Sequence, residues 1–449
     1  MRDTAEVRAA VEALMPEVIA DLTRLVTHAS VAFPGFPPEP VRAMADATTE
    51  LFRRYGVDDV RQVPIEGGYP LIYGEIPGPP GAPIVVFYAH YDVQPAPSEQ
   101  GWDTNPWTAT TKDDGRIYGR GAADDKSGLV IHAATIRCLR DSLPVGVRIV
   151  IEGEEETISH LDEFVVDHPE MFDCDAFVIS DMGNPRVGEP ALTTALRGDV
   201  SCTVSVTTLD HPVHSGLFGG AAPDALVALI KILATLHDDH GDTTVAGVEG
   251  FEWLDGDVDE RAYRESSSIF DGVDLIGSGR LASRLWSKPS ASVIGIDAPS
   301  VEEAANILIP SARAKISLRI PPGSDADREL ERLMEHLRAA APWNVRVDID
   351  VVKAGRPFSV DTEGKVAGAA LSSLEAAYGR PATQIGSGGS IPLVAVLNEV
   401  CPRAEVVLWG AEDLALSRIH ASNESVDPAE IASSIVAQVL LLEELGRGS

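Results

Sequence analysis

Three hydrophobic textures follow one another along the chain. Val7, Val11, Leu14, Val18, Leu22 and Leu25 recur at intervals of three and four, which predicts an N-terminal helix with one buried face. Asp3 and Glu6 have the spacing of a capping box at its start. Pro16 falls inside the periodic stretch and has no amide donor, so a kink is expected there. A Pro-rich stretch from Phe33 to Pro40 ends this unit, and a second helical stretch runs to about Tyr55.

The pattern then changes to short, continuous apolar runs at Ile84–Ala89, Val147–Ile151, Ala176–Ser180 and Val406–Trp409. Each is rich in β-branched or aromatic residues. A strand that is apolar on both faces is one covered by helices on both sides, as in a central, mostly parallel sheet. Gly128–Arg140 supplies an intervening helix, so this part of the chain reads as α/β.

Between Arg197 and Arg356 apolar and polar positions alternate instead. Val200, Cys202, Val204 and Val206 alternate with polar residues, as do Ala312, Ala314, Ile316, Leu318 and Ile320, and again Val345, Val347, Ile349 and Val351. Such alternation predicts antiparallel strands with one solvated face. With helical stretches at Asp224–Leu236 and Asp325–Ala340 and a strand near Ser292–Ile296, the order is βαββαβ, the ferredoxin-like arrangement. The expected architecture is an α/β catalytic domain of residues 1–197 and 357–449, with an inserted α+β lid and dimerisation domain at 198–356. Within the insertion, 237–291 is acidic and Gly-rich and shows no readable period.

The 449 residues fit that division at about 150 residues per domain. Charge narrows the partners: 36 Lys plus Arg against 69 Asp plus Glu leave −33, which repels phosphate backbones and anionic lipid. Nucleic acid and membrane partners are therefore not expected. Cys138, Cys174, Cys202 and Cys401 are widely spaced, without a CxxC pair, and predict reduced thiols rather than a disulfide framework. Charges run through the N-terminal stretch, and no apolar run approaches about 18 residues, so the expectation is a cytoplasmic protein without signal peptide or membrane span.

Metal-ligand residue types stand just after the strand candidates. Ile84–Ala89 runs into His90-Tyr91-Asp92, Val147–Ile151 into Glu152-Gly153-Glu154-Glu155-Glu156, and Ala176–Ser180 into Asp181. Sites in open α/β sheets lie outside the carboxyl ends of the strands, so these side chains should converge. The loop GRGAADDKSG at 119–128 could pass for a phosphate cradle, but it lacks the GxxxxGK[ST] spacing and carries Asp124 and Asp125, which favour cations. A histidine with several carboxylates in one pocket is a self-repelling set unless divalent cations neutralise it, and a carboxylate bridges two cations about 3.5–4 Å apart. Taken singly, a histidine after a strand is usually structural, and a Glu triplet is usually a solvated helix start. Their coincidence at successive strand ends carries the reading.

These pieces resemble the di-zinc metallopeptidase family that includes carnosinase, bacterial dipeptidases, glutamate carboxypeptidase, acetylornithine deacetylase and succinyl-diaminopimelate desuccinylase. The matching stretches are HYD at 90–92, GRGAADDKSG at 119–128, EGEEETIS at 152–159, VISD at 178–181, HSGLFGG at 214–220, GGSIP at 388–392 and IHASNE at 419–424. They keep the family's order over nearly the whole chain. The resemblance implies His90, Asp124 and Asp181 as ligands of one zinc. Asp124, rather than Asp125, bridges to a second zinc completed by Glu156 and His420. It also implies Glu155 as general base, Asp92 as the carboxylate that orients His90, and a cis peptide between Asp124 and Asp125. Glu154 is expected to be solvated or to lie behind the ligands.

For substrate, the resemblance points to Arg319 and to the Gly-Gly-Ser turn with Gly389 and Ser390 as carboxylate-binding groups, and to Asn306 as a further contact. His214 resembles the histidine that reaches from the lid of one subunit into its partner's site, which implies a homodimer through the lid. The implied reaction is metal-dependent hydrolysis of dipeptides or short peptides with a free C-terminal carboxylate, using two divalent cations, zinc with manganese or cobalt as substitutes. The long lid insertion and the GRG-x-x-D-D-K wording are similar to the dipeptidase and carnosinase branch. The alternative within the same chemistry is deacylation of N-acyl amino acids.

Overall fold

The N-terminal periodicity forms one helix, Thr4–Val26, which continues through Pro16 and is capped by Asp3 and Glu6 as the sequence predicts. A second helix, Glu39–Tyr55, follows. This computed structural model describes residues 2–97, 101–389 and 391–447.

The continuous apolar runs build the centre of a nine-stranded sheet. Gly146–Glu152, Ile84–His90, Ala176–Ile179 and Glu405–Leu408 lie side by side and parallel. Outside them the pairings with Leu71–Ile76 and with Ala191–Leu196 are antiparallel, so the sheet is mixed and parallel at its core. Inside Ile84–His90 the two faces separate cleanly. Val85, Phe87 and Ala89 pack into a core shared with Leu129, Val130 and Ile435, from the helices Lys126–Leu139 and Pro428–Leu445. Val86 and Tyr88 pack on the opposite face with Leu161, Val165 and Val394. A strand buried on both faces has no polar alternation to display, which is why these sequences read as unbroken apolar runs.

The alternating segments form a second sheet of four antiparallel strands, ordered Ser290–Asp297, Ser311–Ile320, Gly198–Thr207, Arg346–Gly355. In chain order that is second, third, first, fourth, the ferredoxin-like sequence of strands. Ala312, Ala314, Ile316, Leu318 and Ile320 point into its core against the helices Ala225–Leu233 and Ala326–Ala339, which Asp224 and Asp325 cap. The unreadable stretch 237–291 contains the short helices Glu260–Ser267 and Leu281–Trp286. Its Trp253, Ala282 and Trp286 pack on Ala191, Ala195 and Ile385 of the large sheet, so the insertion touches both sheets. All four cysteines are free, and no helix among the described residues is long and apolar enough to cross a membrane.

Candidate active site

All four central parallel strands end at one place. His90 closes Ile84–His90, the acidic run follows Gly146–Glu152, Asp181 follows Ala176–Ile179, and Glu412 lies just beyond Glu405–Leu408. A parallel sheet delivers the carboxyl ends of its strands to a single edge, so the convergence follows from topology.

Asp124 is at the centre of the group. One of its carboxylate oxygens lies 3.0 Å from His90 Nε2, and the other lies 3.0 Å from His420 Nε2. Asp181 Oδ1 is 3.5 Å from the same His90 nitrogen, and Glu156 Oε2 is 3.1 Å from the same His420 nitrogen. His90 and Asp181 therefore gather at one oxygen of Asp124, and His420 with Glu156 at the other. Asp125 also approaches His90 and Asp181, but its carboxylate accepts the N–H of Gly128 at 3.1 Å and of His90 at 3.2 Å, capping the helix Lys126–Leu139. The Asp124–Asp125 peptide is cis.

The surrounding groups hold this set in position. Asp92 accepts the N–H of Glu155 and of Glu156, each at 3.1 Å, and its main-chain oxygen lies 3.1 Å from His90 Nδ1, with one carboxylate oxygen at 3.4 Å from the same nitrogen. One aspartate thus links the histidine to the turn that carries both glutamates. Glu424, fully buried, accepts the N–H groups of Gly121, Ala123 and Asp124 and pairs with Arg120 at 2.6 Å. It fixes the loop that presents Asp124. Glu154 is not solvated: it is buried and bonded to His160 Nδ1 at 2.9 Å.

Electrostatics gives the site its chemical character. Burial, reinforced by the charge of Asp181, pushes the carboxyls of Glu155 and Asp125 well above the usual range. Burial and the charge of Asp124 do the same to Glu412. Burial also acts to raise Asp124, but hydrogen bonds from His420 and His90 outweigh it and leave that carboxyl low. Hydrogen bonds to Asp124 and Glu156 push His420 up to about 11. Among the described residues no Lys or Arg pairs with Asp124, Glu155, Glu156, Asp181 or Glu412; His90 and His420 contact Asp124, Asp181 and Glu156, and the Gln94 amide donates to Glu156 at 2.7 Å. A cluster of acids without a balancing cation, offering borderline N and O donors, fits divalent metal ions.

The remaining predicted residues lie elsewhere. His214 is exposed, in the short pairing of Val213–His214 with Ile307–Leu308, and its Nδ1 accepts the Gly216 N–H. Asn306 is beside it, its carbonyl accepting the Ser215 N–H at 2.9 Å. Neither touches the acidic cluster of its own chain. Arg319 is half-buried in Ser311–Ile320, opposite Asp199. The N–H of Gly389 donates to Ser387 Oγ at 3.1 Å. Ser390 lies outside the described residues. Sequence reasoning missed Glu412 and Glu424. The position of Glu412 after a fourth parallel strand was the available signal, and Glu424 closes the matching stretch IHASNE without its role being readable there.

Strand-end carboxylates and imidazoles gathered without a balancing cation, on a sheet parallel at its centre, define a metal-dependent hydrolase. The chain belongs to peptidase family M20/M25/M40, whose model matches residues 86–444. It is 36% identical over 442 residues to the cysteinylglycine-S-conjugate dipeptidase of Corynebacterium striatum, covering 96% of each chain. It is 31% identical over 386 residues to the beta-Ala-His dipeptidase of Rattus norvegicus, covering 80% of this chain and 76% of that one. The crystal structure of human carnosine dipeptidase 1 superposes with a TM-score of 0.82 at 24% identity, over 99% of both chains.

Proposed function

We propose that this chain hydrolyses the peptide bond of dipeptides and short peptides with a free C-terminal carboxylate. In this reading His90, Asp124 and Asp181 hold one divalent cation, and Asp124, Glu156 and His420 hold a second. The observation that carries it is the carboxylate of Asp124, with one oxygen 3.0 Å from each imidazole. The names of the Corynebacterium striatum and Rattus norvegicus relatives support dipeptides as the substrate. The deacylase alternative has no comparable support. Zinc suits this donor set, with manganese or cobalt as substitutes.

When bound, such a cation pair lowers the pKa of an attacking water and polarises the scissile carbonyl. Glu155 accepts the proton of that water and returns it to the leaving amine. Without bound cations, burial and the charge of Asp181 raise its pKa, so the cations of the loaded site would be what keeps it ready to accept a proton. Asp92 keeps Glu155 and Glu156 at their stations through their backbone N–H groups. Arg319, Gly389 and Ser390 are assigned to the substrate carboxylate.

We further assign residues 198–356 to a lid through which two chains pair. The edge strand Ser290–Asp297 leaves Val293, Ile294 and Ile296 exposed, an apolar edge that a second copy would cover. His214 and Asn306, adjacent on the lid and away from their own cluster, would then complete the partner's site. A substrate panel tests the reaction: metal-loaded enzyme should hydrolyse dipeptides and leave N-acetyl and N-succinyl amino acids intact. Turnover of the acyl compounds alone would replace the dipeptidase reading with the deacylase one.

A further inference from the structure

The stretch 237–291, which shows no period in sequence, forms one wall of a cavity of about 320 Å³. Its apolar lining includes Val258, Ala262, Tyr263, Leu285, Trp286 and Leu414. Three segments of its lining lead along the chain to residues of the site. Pro185 and Arg186 follow Asp181 in the chain, Leu414 and Ala415 follow Glu412, and Gly388 opens the turn that contains Gly389. Leu414 thus stands two residues from Glu412, and Gly388 stands next to Gly389, so the lining is continuous along the chain with the residues of the site. Its volume is at the low end of small-ligand pockets, about 300–1,000 Å³, which suits one side chain rather than a whole peptide.

Charge sharpens the fit. Arg186 pairs with Asp259 at 2.6 Å, Asp257 with Arg280 at 3.3 Å, and Glu189 with Arg380 at 4.0 Å, so these lining charges are balanced. Arg197 is not. It is buried, its Nη1 reaches only the carbonyls of Arg284 and Lys288 at 3.3 Å, its Nε has no partner, and among the described residues it has no carboxylate. Burial and the nearby charge of Arg319 lower it to about 10, which leaves it protonated at neutral pH. A β-carbon at position 388 would fall 2.7 Å from Arg197 Nη2, so a side chain there would have to displace this guanidinium.

We propose that this cavity is a specificity pocket that accepts a large apolar side chain of the substrate and rejects lysine and arginine side chains. The proposal rests on the dipeptidase reading above. The apolar wall rewards buried hydrocarbon, and the unpaired guanidinium repels a second cation.

The test uses metal-loaded, full-length enzyme with two substrate series, X-Gly and Gly-X, where X is Gly, Ala, Leu, Phe or Lys. In one series Leu and Phe should exceed Ala in kcat/KM by about tenfold or more, with Lys below Ala. Ala262→Phe narrows the cavity from the insertion side and should lower the Leu-to-Ala ratio in that series by about tenfold. Leu414→Trp, at a half-exposed position, is an independent narrowing with the same expected effect. Arg197→Gln should raise the Lys-to-Ala ratio. Dipeptide turnover with ratios unchanged in both narrowed variants, or a wild-type preference for Lys, overturns the pocket alone. No turnover of any dipeptide by the wild type overturns the dipeptidase reading, and the pocket with it.

Discussion

Replacing Glu155 with Gln keeps the side chain's size but removes its ability to accept a proton. Glu155 is not among the proposed ligands, so Glu155→Gln should retain its metal while turnover falls by about 10²–10⁴, read by metal analysis alongside dipeptide kinetics. Near-normal turnover would move the base elsewhere. Candidate residues were legible in the sequence where an acid or histidine directly follows an apolar run, as at His90 and Asp181, or belongs to an acidic run that closes one, as at Glu155 and Glu156. Glu412 was not, because Trp409, Gly410 and Ala411 separate it from the end of its strand. Only the sheet order brings it to the same edge. Glu424 was hidden for a different reason: its role is to accept three backbone N–H groups from a loop some 300 residues earlier. No local pattern encodes such a contact.

Strands of the large sheet position the site, so cavities within them should be costly. Phe87 is fully buried between the sheet and the helix Lys126–Leu139, stacked on His132 at 4.6 Å. Phe87→Ala should destabilise the protein by about 3–5 kcal/mol, measured by denaturant unfolding. A cost below about 1 kcal/mol would mean that this strand is not the packed centre described here. Elements with one dominant environment were the readable ones. Central strands apolar on both faces and strands of the four-stranded sheet solvated on one face each carry a period, and the helices Ala225–Leu233 and Ala326–Ala339 begin at Asp224 and Asp325, which cap them. The stretch 237–291 divides its apolar residues between two sheets and two short helices. Its contacts follow no single period, so tertiary packing alone defines it.

For the whole molecule, the cluster makes stability depend on pH and on metal together. In metal-free protein, burial and Asp181 raise Glu155 and Asp125, burial and Asp124 raise Glu412, and burial pushes Glu152 up to about 7. A carboxyl with a raised folded pKa contributes stability that is fully present below its ordinary pKa and is lost as pH rises through the raised value. His420, raised to about 11, acts with the same sign, while the lowered Asp124 acts only at acid pH. His132, lowered to about 4 by burial, and Lys126, lowered to about 7, act in the opposite sense, but the raised carboxyls and His420 outnumber them, so thermal unfolding of metal-free protein should give a lower Tm at about pH 8 than at about pH 5.5. Added zinc should recover more stability at the higher pH, where its ligands are deprotonated. A metal-free Tm that climbs over this interval would contradict the electrostatic account. Assembly has its own check. Neither His214→Ala nor Glu155→Gln should be active alone, but mixing them under conditions of subunit exchange should restore activity, because one site of a mixed dimer keeps both residues. Demonstrated exchange without recovery would confine His214 to its own chain.

Titration of metal-free enzyme with zinc, followed by hydrolysis of a dipeptide, tests the central claim most directly. The account predicts no turnover without metal and a plateau at about two equivalents per chain, the stoichiometry of a two-metal site. Asp124→Asn should prevent that plateau. Full dipeptide hydrolysis by metal-free protein, or a plateau at one equivalent, would contradict a site in which Asp124 joins two cations.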